Sequence, residues 1–204
     1  MQGRRDEIII ITGWAAALVL SAIGPKDYAT WFMEVLPVMI AVPLLWFSRK
    51  GFPLSRILLW CAFAHGLILI MGGHYTYAHV PVGFWLQDVF DFARNPYDRI
   101  GHLAQGFVPA LLTREILLRK TPLKSGKMLF TLVVCVPLAF SAFYEMIEWW
   151  AAVLMDQDAE AFLGTQGDPF DTQWDMFMAL AGAVMAQVFC ARLQDRQLAR
   201  IADA

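Results

Sequence analysis

Apolar residues gather in six long runs along this chain, near 8–24, 31–47, 54–72, 96–118, 127–154 and 169–191. Runs of about 17–25 predominantly apolar residues are long enough to cross the hydrocarbon core of a bilayer as helices. The pattern predicts an all-α integral membrane protein of about six transmembrane helices, forming a single membrane domain over 1–204. The fourth run is the least uniform, with Asp98, Arg99, His102 and Gln105 near its start. Pro37, Pro43, Pro109 and Pro137 fall inside the runs, which a membrane bundle tolerates because neighbouring groups re-satisfy the freed backbone. The first run follows Arg4 and Arg5 as a signal peptide would. It is long for one and has no clear small-residue cleavage site after it, so it is read as a helix.

Composition agrees with this pattern. Of 204 residues, 58% are hydrophobic and 17% charged, against about 45–50% and about 25% in ordinary soluble domains. A net charge of -2 argues against a nucleic-acid partner, which needs a concentrated basic face. Cys61, Cys135 and Cys190 all lie inside apolar runs and read as buried free thiols. The basic clusters alternate between connections. Arg4/Arg5, Arg49/Lys50/Arg56, Arg119/Lys120/Lys124/Lys127 and Arg192/Arg196/Arg200 fall on one side; Lys26/Asp27, Asp88/Asp91/Arg94 and Asp156/Asp158/Glu160/Asp168 fall on the other. The positive-inside rule then puts both termini in the cytoplasm. The connections 73–95 and 155–168 face outward, and the aromatic-rich stretch from His74 to Phe92 lies at the outer interface.

A short repeat runs through the second half. Asn95-Pro96-Tyr97-Asp98, followed by His102, matches Asp168-Pro169-Phe170-Asp171, followed by Asp175. Cys61-Ala62-Phe63-Ala64-His65 stands to the first as Ser141-Ala142-Phe143-Tyr144-Glu145 stands to the second. Spans three and four thus align with spans five and six as a parallel two-helix repeat, with a pseudo-two-fold axis along the membrane normal. Asn95 and Asp168 before proline read as helix N-caps, and Asp98 and Asp171 suit the first turn of a helix dipole. Capping does not account for His102 and Asp175, which lie one turn further in.

At about 1.5 Å per residue, His102 and Asp175 sit roughly 9 Å below the outer helix starts, and His65 and Glu145 roughly 12–15 Å deep. Glu148 is one turn nearer the outside. Ionisable residues inside a membrane are costly and by default mark a functional site or an internal polar network. Acids outnumber bases here, and only Arg99 reaches in from the rim. The compensating charge is therefore a metal, protons or a cationic ligand. His and carboxylate pairs on facing helices resemble the logic of metal-binding bundles, and the mixed ligand set suits Zn, Fe or Mn. His65, His102, Glu145 and Asp175 are the candidate ligands of a divalent transition metal. Glu148, Asp98 and Asp171 are the candidate general base or supporting groups. The bland alternative is a hydrogen-bonded network that locks helix packing. His74 and His79 read as surface groups, and Trp149 and Trp150 as interface anchors.

Several of these stretches resemble the YjdF inner-membrane family: Gly73-His74-Tyr75-Thr76-Tyr77, Tyr97 to His102 with Gln105 to Ala110, Arg114-Glu115, Tyr144-Glu145 with Glu148-Trp149-Trp150, and Gly164 to Asp168 with Asp171 and Asp175. The resemblance covers nearly the whole chain and implies a multi-pass protein of the bacterial inner membrane, with no particular activity. A weaker similarity is to VanZ-like membrane proteins, from which no activity is carried across.

The leading functional expectation is a metal-dependent membrane enzyme acting on a lipid or lipid-linked substrate near the outer surface, where a metal would activate water or polarise a phosphoryl or carbonyl oxygen. The alternatives are a proton-coupled transporter, which at this size calls for a homo-oligomer, haem ligation by His65 and His102, and a structural membrane protein.

Overall fold

The computed structural model describes residues 2–155 and 166–203. Six helices of 20 or more residues coincide with the six apolar runs, and no strand is present among the described residues. They are α1 (Gln2–Ser21), α2 (Tyr28–Ser48), α3 (Arg56–Tyr75), α5 (Tyr97–Lys120), α6 (Lys127–Met155) and a last helix that starts as α7 (Asp171–Met185). A five-residue π-helical turn, Ala186–Cys190, joins α7 to α8 (Ala191–Ala202). The sixth run therefore ends where the helix register changes and Arg192, Arg196 and Arg200 begin to face water. The connection after α3, expected to face outward, is not a plain loop. It forms a short 3-10 turn, Tyr77–His79, and a ten-residue helix α4 (Pro81–Phe90) opened by Pro81. Asp156, Asp158 and Glu160, expected in the other outer connection, lie outside the described residues.

α2, α3, α6 and the continuous helix Asp171–Ala202 are long and apolar enough to cross a membrane. α1 and α5 carry more charge, and α5 keeps its charged groups at its two ends, where His102 faces Glu145 and Asp175 and Arg114 pairs with Asp195 of the last helix. Much of the apolar surface faces outward, with Phe47 81% and Leu154 83% exposed. Such a surface suits a lipid solvent. Cys135 also lies on this outward surface, where burial had been expected.

Helix ends are set locally. Asp27 accepts the Thr30 N–H at 2.6 Å and starts α2. The start of α3 is capped from a distance, because both carboxylate oxygens of the fully buried Glu115 accept the Ser55 N–H, at 3.1 and 3.2 Å. Arg119 donates to the same carboxylate at 2.8 Å, and Gln194 of α8 at 3.4 Å. The Asx-Pro starts differ in detail from the expectation. Asn95 Oδ1 accepts the Tyr97 N–H at 3.0 Å, and Asp168 Oδ1 the Phe170 N–H at 2.9 Å. Each side chain closes a turn around its proline, so the helices begin at Tyr97 and Asp171, after the proline rather than on it.

α5 is the central helix, packed on α3, α6 and, most extensively, α7. α5 and α7 meet through small residues: Gly106 lies against the Ala179 carbonyl, and Gly182 against that of Leu103. Backbone contact this close is the usual means of helix association where lipid removes the hydrophobic driving force. A second group, α1–α2–α3, packs around Ile10, Trp14, Val35, Val38 and Leu59, with α3 shared between both halves.

Candidate functional site

The end of the bundle where α5 and α7 begin buries Glu34, His102, Asp171 and Asp175. His102, 7% exposed, projects from the second turn of α5. Its Nε2 faces three carboxylates: Asp98 Oδ1 at 3.5 Å from one turn earlier, Glu145 Oε1 of α6 at 3.8 Å, and Asp175 Oδ2 of α7 at 3.8 Å. Ligand atoms of Asp98, His102 and Asp175 all lie within 4.8 Å of one another. Atoms bound about 2.0–2.2 Å from one metal ion stand roughly 3–4 Å apart. The separations around His102 have that scale, and most exceed a direct hydrogen bond.

Several of these groups end on unpartnered atoms. Glu145 Oε1, Asp175 Oδ1, His102 Nδ1 and His65 Nε2 are buried without a hydrogen-bond partner. Buried polar atoms normally find partners, so this cluster has capacity for a ligand that the protein itself does not fill. The donor set of one imidazole and three carboxylates fits Zn, Fe or Mn.

Among the described residues, Lys and Arg side chains approach this cluster only at its rim. The Arg94 guanidinium contacts Asp171 closely and reaches Asp98 at 3.5 Å and Asp168 at 3.7 Å. Arg99 pairs with Asp168 at 2.8 Å and lies over the Trp174 ring. The sequence had suggested Arg99 as the cation approaching the inner acids. Arg99 pairs with Asp168 at the rim, and Arg94, which precedes the Asn95 turn, is carried over the starts of both helices to Asp98 and Asp171.

The predicted site residues therefore divide. The structure brings His102, Glu145 and Asp175 together, and Asp98, expected as a general base, stands among them 3.5 Å from His102. Asp171 is engaged by Arg94. His65 and Glu148 line an adjoining cavity of about 240 Å³, together with Glu34, Tyr77 and Tyr144. Glu34 was missed, although an acid within an apolar span follows the same rule that singled out Glu145. Its burial, 8% exposed, makes it as notable as the others. His74 is not a free surface group: its Nδ1 pairs with the Ser21 carbonyl at 2.8 Å. His79 pairs with Thr76 at 3.0 Å. Trp149 and Trp150 face outward.

A bundle of apolar helices enclosing such a site is an integral membrane protein, and the comparisons agree. The family described as "Predicted membrane protein (DUF2238)" matches residues 7–196, and the chain belongs to it. The chain is 52% identical over 183 residues to the inner membrane protein YjdF of Escherichia coli (strain K12), across 90% of this chain and 88% of that protein. The family resemblance read from the motifs is thereby shown. No solved structure matches the chain.

Proposed function

We propose that the chain crosses the bacterial inner membrane six times with both termini cytoplasmic, and that Asp98, His102, Glu145 and Asp175 hold a divalent transition metal in its outer half. The bound metal would serve an enzyme acting on a lipid or lipid-linked substrate. The name of the E. coli relative supports the location, and the basic clusters at one end of the bundle support the orientation. The observation that carries the metal reading is the His102 Nε2 ringed at 3.5–3.8 Å by three carboxylates from α5, α6 and α7. Two of those carboxylates also end on buried, unpartnered oxygens.

When bound, such a metal polarises a phosphoryl or carbonyl oxygen or activates water. Glu148 on the wall of the adjoining cavity is placed to take a proton from a group bound there. Arg94 holds Asp98 and Asp171 in position at the mouth. α2 and α6 face one another across this cavity through Pro37 and Phe140 and are not a tightly packed pair. A lipid-like molecule could therefore enter sideways. The parallel repeat of spans three–four and five–six is part of the same reading, with the matched Asx-Pro turns of Asn95 and Asp168 in support.

The test is elemental mass spectrometry of protein purified in mild detergent without added metal or chelator. The wild type is expected to carry about one equivalent of Zn, Fe or Mn, and a His102→Ala, Asp175→Ala double variant none. A metal-free wild type, or a folded double variant with undiminished metal, overturns the reading. Proton flux in vesicles would then be the next measurement.

A further inference from the structure

The cavity beside His102 does not end at its polar walls. Pro37, His65, Leu69 and Pro109 line it, and they also line an apolar groove of about 520 Å³ between α2, α3 and α5. The groove continues past Val38, Ala41 and Leu45 to Ser48 on α2, with Leu59 and Leu112 opposite. From Glu34 to Ser48 a helix advances about 21 Å, more than half of a hydrocarbon core of about 30 Å. A polar chamber opening into an apolar channel of that length has the shape of an amphiphile.

The chamber's chemistry selects a head group. Its carboxylates are Glu34, Asp98 and Glu148, and no Lys or Arg among the described residues lines it. The nine-tenths-buried His102 lines it with an unpartnered Nδ1, and His65 lines it with an unpartnered Nε2. Pro109 has no N–H to give the Gln105 carbonyl one turn back, so a further acceptor is released where Gln105 meets the chamber. Tyr77, Phe140, Phe143 and Tyr144 supply aromatic surface. The acceptors that the metal of the proposed site leaves over, Glu34, Glu148 and the Gln105 carbonyl, together with the aromatic faces, suit a positively charged group. The number of acceptors favours one with several N–H donors, such as a primary ammonium with three. An anionic phosphate placed between Glu34 and Glu148 would be repelled by both carboxylates.

We infer that the chamber and groove together bind a single-chain amphiphile with a primary ammonium head, the head lying between Glu34 and Glu148 and the chain along α2, α3 and α5. This rests on the reading of the site as one that acts on a lipid-like substrate, and it names the class of that substrate.

The experiment measures retention of four probes of equal chain length on the detergent-purified protein by native mass spectrometry: tetradecylamine, tetradecyltrimethylammonium, tetradecanol and tetradecyl phosphate. Tetradecylamine is expected to be retained at least about tenfold better than the alcohol or the phosphate, and better than the quaternary ammonium, which has no N–H to donate. Glu34→Gln should remove most of the preference for amine over alcohol. Ala41→Phe, which fills the groove, should weaken tetradecylamine while leaving hexylamine unchanged. Equal retention of amine and phosphate by the wild type overturns the inference whatever the variants do, as does a Glu34→Gln protein with undiminished preference. Metal content is measured on the same samples. Amine binding by a metal-free protein would sink the metal reading alone, and metal without amine preference would sink this inference alone.

Discussion

Gly106→Ala is a one-carbon change with a large expected consequence. A Cβ built on Gly106 would lie 1.9 Å from the Ala179 carbonyl oxygen, where real contacts stay above 3.0 Å. The obstacle is backbone and cannot rotate away, so α5 and α7 must part by about 1.1 Å at their crossing. Overpacking of this kind costs about 1–3 kcal/mol, and an unyielding neighbour puts this case at the upper end. His102 and Asp175 each lie one turn before the contact. The same opening takes their 3.8 Å separation to about 4.9 Å, too wide for one metal ion to bridge them. Thermal unfolding in detergent and metal content should therefore fall together. Gly182→Ala, whose Cβ would meet the Leu103 carbonyl at 2.1 Å, should behave likewise, and Gly51→Ala, with nothing within 4 Å, should match the wild type. A Gly106→Ala protein as stable as Gly51→Ala would refute the account of this helix crossing.

Two further changes probe other parts of the chain. Glu115→Ala strands the Ser55 N–H and takes one acceptor each from Arg119 and Gln194, which keep the Pro53 and Leu111 carbonyls, and should cost about 1–3 kcal/mol in unfolding. Glu115→Gln, which keeps an acceptor, should cost visibly less; equal losses would mean the carboxylate is not the cap of α3. Hydrogen bonds from the Thr30 side chain and N–H hold the Asp27 carboxyl below its usual 3.8. A lowered carboxylate pKa stabilises the fold above the unfolded value and loses that stabilisation as pH falls through the folded value. Asp27→Ala should therefore cost about 1 kcal/mol near pH 7, and its difference from wild type should shrink below pH 3.8. A difference independent of pH would show that the cap does not act through its charge.

The helices were legible in the sequence because each is decided by local composition. A run of apolar residues long enough to span a bilayer must satisfy its own backbone, whatever its neighbours are, and six such runs became six long helices. The place of His102 and Asp175 in the second turn of their helices was legible for the same reason, since it is set by the nearby helix starts. Helix starts were readable to within about two residues, because Asn95 and Asp168 act on amides close by in the chain. Lateral relations were not readable. Which acids share a centre depends on the rotation of each helix about its axis, and that is set where Gly106 meets Ala179 and Gly182 meets Leu103. Those contacts bring Asp175 to His102, while the packing of α6 and α3 on α5 brings Glu145 there and leaves His65 facing the cavity. Arg94 reaches two helix starts only because the turn at Asn95 folds back, and Glu34 joins the polar end only because α2 packs on α3. The sequence by itself determined a bundle of membrane helices with excess acid at one end, for such features depend on one segment at a time. Only tertiary structure decided the members of the cluster, the chamber and its groove, because close contacts between helices distant in the chain have no local signature.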